Sequence, residues 1–162
     1  MQFHLTPPAS PSKPAAPMAN DVDVVIVGAG PCGLAAAISA QNAGLRTLVL
    51  DAEVVVSTIA AYPTYVRFFS TAEKLAIGGL PFVVATEKPS RRDALAYYRA
   101  AVLHFRIPVR QRERVTAVEG RSGDFAVVSR TLAGEERRTK TASVVVATGF
   151  FERVAHPTEG LL

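Results

Sequence analysis

The stretch Val24–Ile38 reads VVIVGAGPCGLAAAI. A run of β-branched residues, a glycine-rich turn and a series of small helix formers follow one another in it. Residues 22–27 (VDVVIV) are almost continuously apolar, as in a parallel strand buried on both faces. Gly28, Gly30 and Gly33 come next, spaced G-x-G-x-x-G. That spacing is weak by itself, but between a strand and a helix each glycine has a task. The first permits a tight turn, the second lets a pyrophosphate approach the backbone, and the third lets helix and strand pack closely. Phosphate would lie on the N–H groups of the first helical turn, at the positive end of the helix dipole. The helix runs from Pro31 to about Ala43, where Gly44 stops it. Residues 46–50 (RTLVL) supply a second buried strand and close a βαβ unit.

Asp51 stands at the end of that second strand, where a ribose-binding carboxylate belongs. A carboxylate accepts hydrogen bonds from ribose hydroxyls and repels a 2′-phosphate, so FAD or NAD is favoured here over NADP. Glu53 is the alternative ribose ligand, and a solvated strand-end acid is the structural alternative for Asp51. The expected cofactor-binding set is Gly28, Gly30, Pro31, Cys32, Gly33, Asp51 and Ala52, with Thr148 and Gly149 from the far end of the chain. There VVVATGF (144–150) is an apolar strand delivering Ala-Thr-Gly. It resembles the second signature of flavoproteins with two dinucleotide-binding domains, and this tips the choice between FAD and NAD toward FAD.

Between these signals the pattern is less regular. Residues 51–89 carry turn signals and apolar residues without a sustained period, although Ser70–Thr71–Ala72–Glu73 fits a capping box opening a short helix that Gly78–Gly79 would end. Pro89–Ser90–Arg91–Arg92–Asp93 opens a stronger helix. Leu95, Tyr98, Val102 and Phe105 give residues 91–105 an amphipathic spacing. Short strands are expected at 107–111, 114–119, 124–130 and 136–141, separated by turn residues, as an antiparallel meander before the strand 143–149. The expected fold class is therefore α/β, a Rossmann-like FAD-binding domain over residues 21–150, with a parallel sheet, helices and an antiparallel β-meander.

Length and composition agree with this. The 162 residues, 49% of them hydrophobic, suit one domain with a core. One cysteine excludes an intramolecular disulfide framework, no Cys and His cluster has zinc-ligand spacing, and no metal site is expected. The Pro-rich opening MQFHLTPPASPSKPAAPMAN reads as a disordered tail over residues 1–20, with Met18 a plausible true start. The apolar run at 34–40 is too short to cross a bilayer, so a soluble protein is expected, and the lone cysteine makes a reducing, cytoplasmic setting the default. The net charge of +4 comes with arginines clustered from Arg106 to Arg138. Without interleaved aromatics for base stacking, they read as a solvated strand surface and not as a nucleic-acid face.

Four blocks together carry a closer resemblance: VDVVIVGAGPCGLAAAISAQNAGLRTLVLD, YPTYVRFFSTAEKLAIGGLPF, EKPSRRDALAYYR and VVVATGF. They resemble the bacillithiol disulfide reductase family, thioredoxin reductase-like flavoenzymes, from about residue 22 to 150. The resemblance implies passage of a hydride from NADPH to FAD and of electrons onward to a low-molecular-weight thiol disulfide. Such enzymes are roughly twice as long, with a second glycine motif for NADPH and a C-terminal segment that completes the FAD site. Here FERVAHPTEGLL (151–162) reaches only the start of a crossover, so NADPH would bind only if a second domain were supplied. The alternative is a non-catalytic nucleotide-binding module, or a subunit that needs a second chain. A homo-oligomer stays open.

Cys32 is the expected catalytic residue. A lone cysteine cannot make a Cys-x-x-Cys pair, but the first turn of a helix favours its thiolate. The family resembled also carries a cysteine in this loop, whereas most lone cysteines are small apolar fillers. Tyr62, Tyr65, Phe68 and Phe69 are candidates to line a flavin edge, with core packing the alternative. His104 reads as an ordinary helix residue, and His4 and His156 have no partner legible in the sequence.

Overall fold

The computed structural model describes residues 21–150. The Pro-rich tail, His4, His156 and the expected crossover lie outside the described residues. The elements follow in the order β1 (Val22–Val27), α1 (Pro31–Asn42), β2 (Thr47–Asp51), α2 (Ser57–Ala60), α3 (Ala72–Leu75), α4 (Arg91–His104), β3 (Val109–Gln111), β4 (Glu113–Arg121), β5 (Asp124–Thr131) and β6 (Glu136–Val146). The six strands form one sheet in the order β3-β2-β1-β6-β5-β4. The expected α/β fold is present, a mixed sheet with parallel and antiparallel parts.

The parallel part has β1 at its centre, with β2 on one side and the end of β6 on the other. Successive side chains of a strand point to opposite faces. Val24, Ile26 and Val49 accordingly join the larger core beneath α1 and α4, with Leu34, Ile38, Ala94 and Tyr98. Val25, Leu48 and Leu50 point the other way and meet Val127 of β5 in a second, smaller core. Both faces of β1 are thus covered, the reason its sequence is apolar without alternation.

Two strand expectations need correction. Residues 107–111 do not belong to the meander: β3 lies parallel to β2, with Val49 opposite Val109 and Asp51 opposite Gln111. Helix α4 is the crossover that makes this parallel return possible. The stretches 136–141 and 143–149 are likewise not separate strands. They form the single β6, which pairs antiparallel with β5 in its first half and parallel with β1 in its second. Thr141 belongs to both halves, opposite Phe125 on β5 and Val22 on β1. No turn residue interrupts Thr141–Ala142–Ser143, so the ladder continues through, and the strand ends at Val146 with Ala147–Gly149 as an exit loop.

Segment 51–89 is organised from α4. The Tyr97 hydroxyl accepts the Ile77 N–H at 2.8 Å and donates to the Leu80 carbonyl at 2.7 Å. The Tyr98 hydroxyl donates to the Leu75 carbonyl at 2.9 Å, and Phe82 stacks on Tyr97 with ring centroids 4.1 Å apart. Helix α3 is consequently one turn long. Its N-cap is Thr71, without the capping box expected from Ser70, and Ala76 is already extended, so the helix stops ahead of Gly78–Gly79. The one-turn helix α2 was not anticipated. In α4 the most buried residues are Ala94, Tyr97, Tyr98 and Ala101, while Leu95, Val102 and Phe105 pack at the margin of the same face.

The arginine-rich strands carry cross-strand ion pairs. Arg130 pairs with Glu136, Arg138 with Glu119, and Arg137 with Glu135 and Glu113. Glu113 is buried, and it also accepts the Ser129 hydroxyl at 2.7 Å, so its desolvated charge is compensated from two sides.

Ser90 closes a reciprocal cap on α4: its hydroxyl accepts the Asp93 N–H, and the Asp93 carboxylate accepts the Ser90 N–H at 2.9 Å. Hydrogen bonds from the Ser90 side chain and backbone hold the Asp93 carboxyl below its usual range. Ser90→Ala should therefore cost about 1 kcal/mol in chemical denaturation. The cap's contribution is present above the usual carboxylate range and fades as pH falls through the lowered Asp93 value. The difference between wild type and Ser90→Ala should shrink in strong acid, and a constant difference would contradict the cap.

Candidate functional site

Strand β1 ends against two neighbours at once. The Gly28 N–H donates to the Leu50 carbonyl and the Ala147 N–H to the Val27 carbonyl, both at 2.8 Å. The glycine loop, the end of β2 and the exit loop of β6 therefore meet at the carboxyl ends of the parallel strands, where open α/β sheets hold their ligands.

The three motif glycines are not equivalent. Gly28 has φ +111°, and a Cβ on it would lie 2.3 Å from the Ala147 carbonyl oxygen and 3.1 Å from the Thr148 nitrogen. A Cβ on Gly33 would fall 1.9 Å from the Gly28 carbonyl oxygen. Both positions are fixed as glycine by the protein's own backbone. Gly30 differs: its φ is an ordinary −77°, and a Cβ there would meet no atom within 4 Å. It is the N-cap of α1, a place where Ser, Thr, Asp or Asn would usefully cap, yet α1 has no side-chain cap and no acid in its first turn. The leading N–H groups of a helix lack intrahelical acceptors. Open space, a missing side chain and unsupplied acceptors thus coincide, which suits a phosphate against the backbone.

Asp51 is tied to this loop. Its Oδ2 accepts the Ala29 N–H at 2.6 Å and its Oδ1 the Glu53 N–H at 2.7 Å. A carboxylate has about four acceptor directions, so each oxygen keeps one for a further donor such as a ribose hydroxyl. The Glu53 side chain is exposed, and only its backbone takes part in the loop. Ala52 is half-buried beside Asp51. Thr148 and Gly149 are exposed just beyond Ala147, with Gly149 at φ +80°.

Cys32 is the second residue of α1, next to Pro31, and is exposed. The buried Tyr98 hydroxyl of α4 is pushed up to about 12, chiefly by its burial.

The four aromatic candidates separate. Tyr62 and Phe68 pack at the edge of the main core, 6.2 Å apart, whereas Tyr65 and Phe69 are 86% and 96% exposed. His104, at the end of α4, stacks edge-on against Phe105 and is remote in the fold from the glycine loop. Among the described residues no group of His, Cys, Asp and Glu is arranged to hold a metal ion, and no helix is long and apolar enough to cross a membrane.

Two residues at the site carry no sequence signal. Val56 adopts φ 52°, ψ 39°, the left-handed region that a β-branched residue rarely enters. Gln111 accepts the Val55 N–H on its side-chain oxygen at 2.9 Å. Nothing in the sequence around a valine or a strand-end glutamine marks either role.

Residues 25–158 match the family model described as Pyridine nucleotide-disulphide oxidoreductase. The chain is 47% identical over 78 residues to bacilliredoxin reductase Bdr of Bacillus subtilis strain 168, a match covering 48% of this chain and 24% of that protein. It is 31% identical over 162 residues to the ferredoxin–NADP reductase of Granulibacter bethesdensis, covering 99% of this chain and 41% of that one. Among solved structures, the bacillithiol disulfide reductase Bdr from Bacillus cereus superposes with a TM-score of 0.79 at 40% identity, over 86% of this chain and 44% of that chain. The chain thus spans less than half the length of each of these relatives.

The unequal glycines predict unequal variants. Gly33→Ala should cost more than ~3 kcal/mol, because its methyl meets backbone that cannot retreat. Gly30→Ala should stay within about 1 kcal/mol of wild type. Thermal melts of the two variants check this, and equal destabilisation would contradict the geometry.

Proposed function

The chain belongs to the pyridine nucleotide-disulphide oxidoreductase family, and on that premise we propose that it is the FAD-binding portion of an NADPH-dependent disulfide reductase. The relatives named bacilliredoxin reductase and bacillithiol disulfide reductase support this reading. The observation that carries it is Gly30, a glycine that none of the described residues requires, placed between the Asp51 carboxylate and an uncapped helix start.

In this reading the N–H groups at the start of α1 receive the pyrophosphate, with Gly30 keeping the approach clear. Asp51 accepts a ribose hydroxyl on the face that Ala29 and Glu53 leave free, and its charge disfavours a 2′-phosphate. Gly28, Pro31, Ala52, Thr148 and Gly149 complete the walls. Bound FAD would supply two-electron redox chemistry. Cys32 takes the disulfide: its thiolate attacks one sulfur of a low-molecular-weight disulfide, a mixed disulfide forms, and the first thiolate leaves. Two electrons and one proton then return Cys32 to its thiolate and release the second thiol. NADPH would supply the electrons only where a second domain binds it. A non-catalytic nucleotide-binding module is the second reading, favoured by Cys32 having no second cysteine beside it among the described residues.

Purified after addition of FAD, the chain should be yellow and retain flavin absorbance through gel filtration. Gly30→Ala should remain folded but lose at least about tenfold in flavin affinity. A colourless chain that ignores added FAD would contradict the reading. In a full-length relative, replacing the cysteine that aligns with Cys32 by serine should abolish disulfide reduction while flavin stays bound. Undiminished turnover there would remove Cys32 from the reaction and favour the module.

A further inference from the structure

The segment between β2 and α2 turns sharply beside the glycine loop and is held from two sides. On the loop side, Asp51 accepts the Ala29 N–H, and the Val56 N–H donates to the Ala29 carbonyl at 3.0 Å. On the other side the end of β3 grips it. The Arg112 N–H donates to the Glu53 carbonyl at 2.9 Å, and the Val55 N–H donates to the Gln111 side-chain oxygen, also at 2.9 Å. The parallel register sets Gln111 directly opposite Asp51, so this grip acts beside the carboxylate.

The segment needs such a grip. Val56 is 1% exposed and left-handed, a conformation in which a β-branched side chain crowds its own backbone. Such a residue persists only where its surroundings over-determine it, and strain of this kind gathers at ligand clamps. Of the bonds that hold the segment to β3, the one to Gln111 alone comes from a side chain, so sequence can tune it. We propose that Gln111 is a positioning residue of the dinucleotide site: it fixes the 52–56 segment on β3 and thereby fixes the direction in which Asp51 and the Glu53 backbone meet the ribose. The inference rests on the FAD reading above for its ligand, whereas the grip itself does not depend on that reading.

Flavin titration of the full chain, with apo melting temperatures and amide hydrogen exchange, tests this on Gln111→Leu and Gln111→Glu. Gln111→Leu removes the acceptor and leaves the 52–56 segment to be ordered by the ligand, which should weaken FAD by up to about tenfold. Its apo melting temperature should stay near that of wild type, and its Val55 amide should exchange faster. Gln111→Glu keeps an oxygen in reach of the Val55 N–H and should hold affinity within about threefold of wild type. Unchanged affinity in Gln111→Leu overturns the proposal, as does equal loss in both variants or a loss that tracks a fall in melting temperature. If wild type binds no FAD, the ligand reading fails separately and exchange decides the grip: faster Val55 exchange in Gln111→Leu upholds it, and unchanged exchange overturns it.

Discussion

At the end of β1 the backbone is packed too tightly for side chains. The Gly28 carbonyl occupies the place of a Cβ on residue 33, and the Ala147 carbonyl occupies the place of a Cβ on residue 28. These two approaches press α1 onto the sheet and draw the exit loop of β6 against the glycine turn. The meeting of the loops at the site follows from that crowding. It places Thr148 beside Gly28, brings the Ala29 N–H onto Asp51, and aims the start of α1 at the space above Gly30.

The continuous strand β6 makes the crowding possible. Its first half is a meander strand beside β5, and its second half is a parallel strand beside β1. The meander curls over one face of the parallel strands, where Val127 meets Val25, Leu48 and Leu50. The cross-strand pairs around the buried Glu113 hold its outer strands in register. The smaller core and the site are therefore set by the same strand, and a shift of β6 along β1 would move Ala147 away from Gly28.

The parts of the fold that were legible in sequence are those that repeat a local physical rule. The apolar β1, the glycine turn, α1 and β2 are each specified within a few residues, and the Ser90–Asp93 start of α4 is a local capping signal. The parts that were not legible depend on distant partners. Residues 109–111 join β2 because α4 carries them there, and the strand-like spacing of their sequence is the same for a meander. Helix α3 stops early because the Tyr97 hydroxyl takes the Ile77 N–H. In the site, Gly30 and Asp51 carried a motif, but Val56 and Gln111 act through one backbone angle and one long-range hydrogen bond, neither of which leaves a pattern in sequence.

We place the binding of a flavin dinucleotide at the meeting point of the three loops. Titrating FAD into isotopically labelled chain and following backbone amide resonances tests it most directly. The largest shifts should fall on residues 29–33, 52–53 and 148–149, with little change along β4 and β5. Shifts scattered over the arginine-bearing strands, with the glycine loop unmoved, would contradict it.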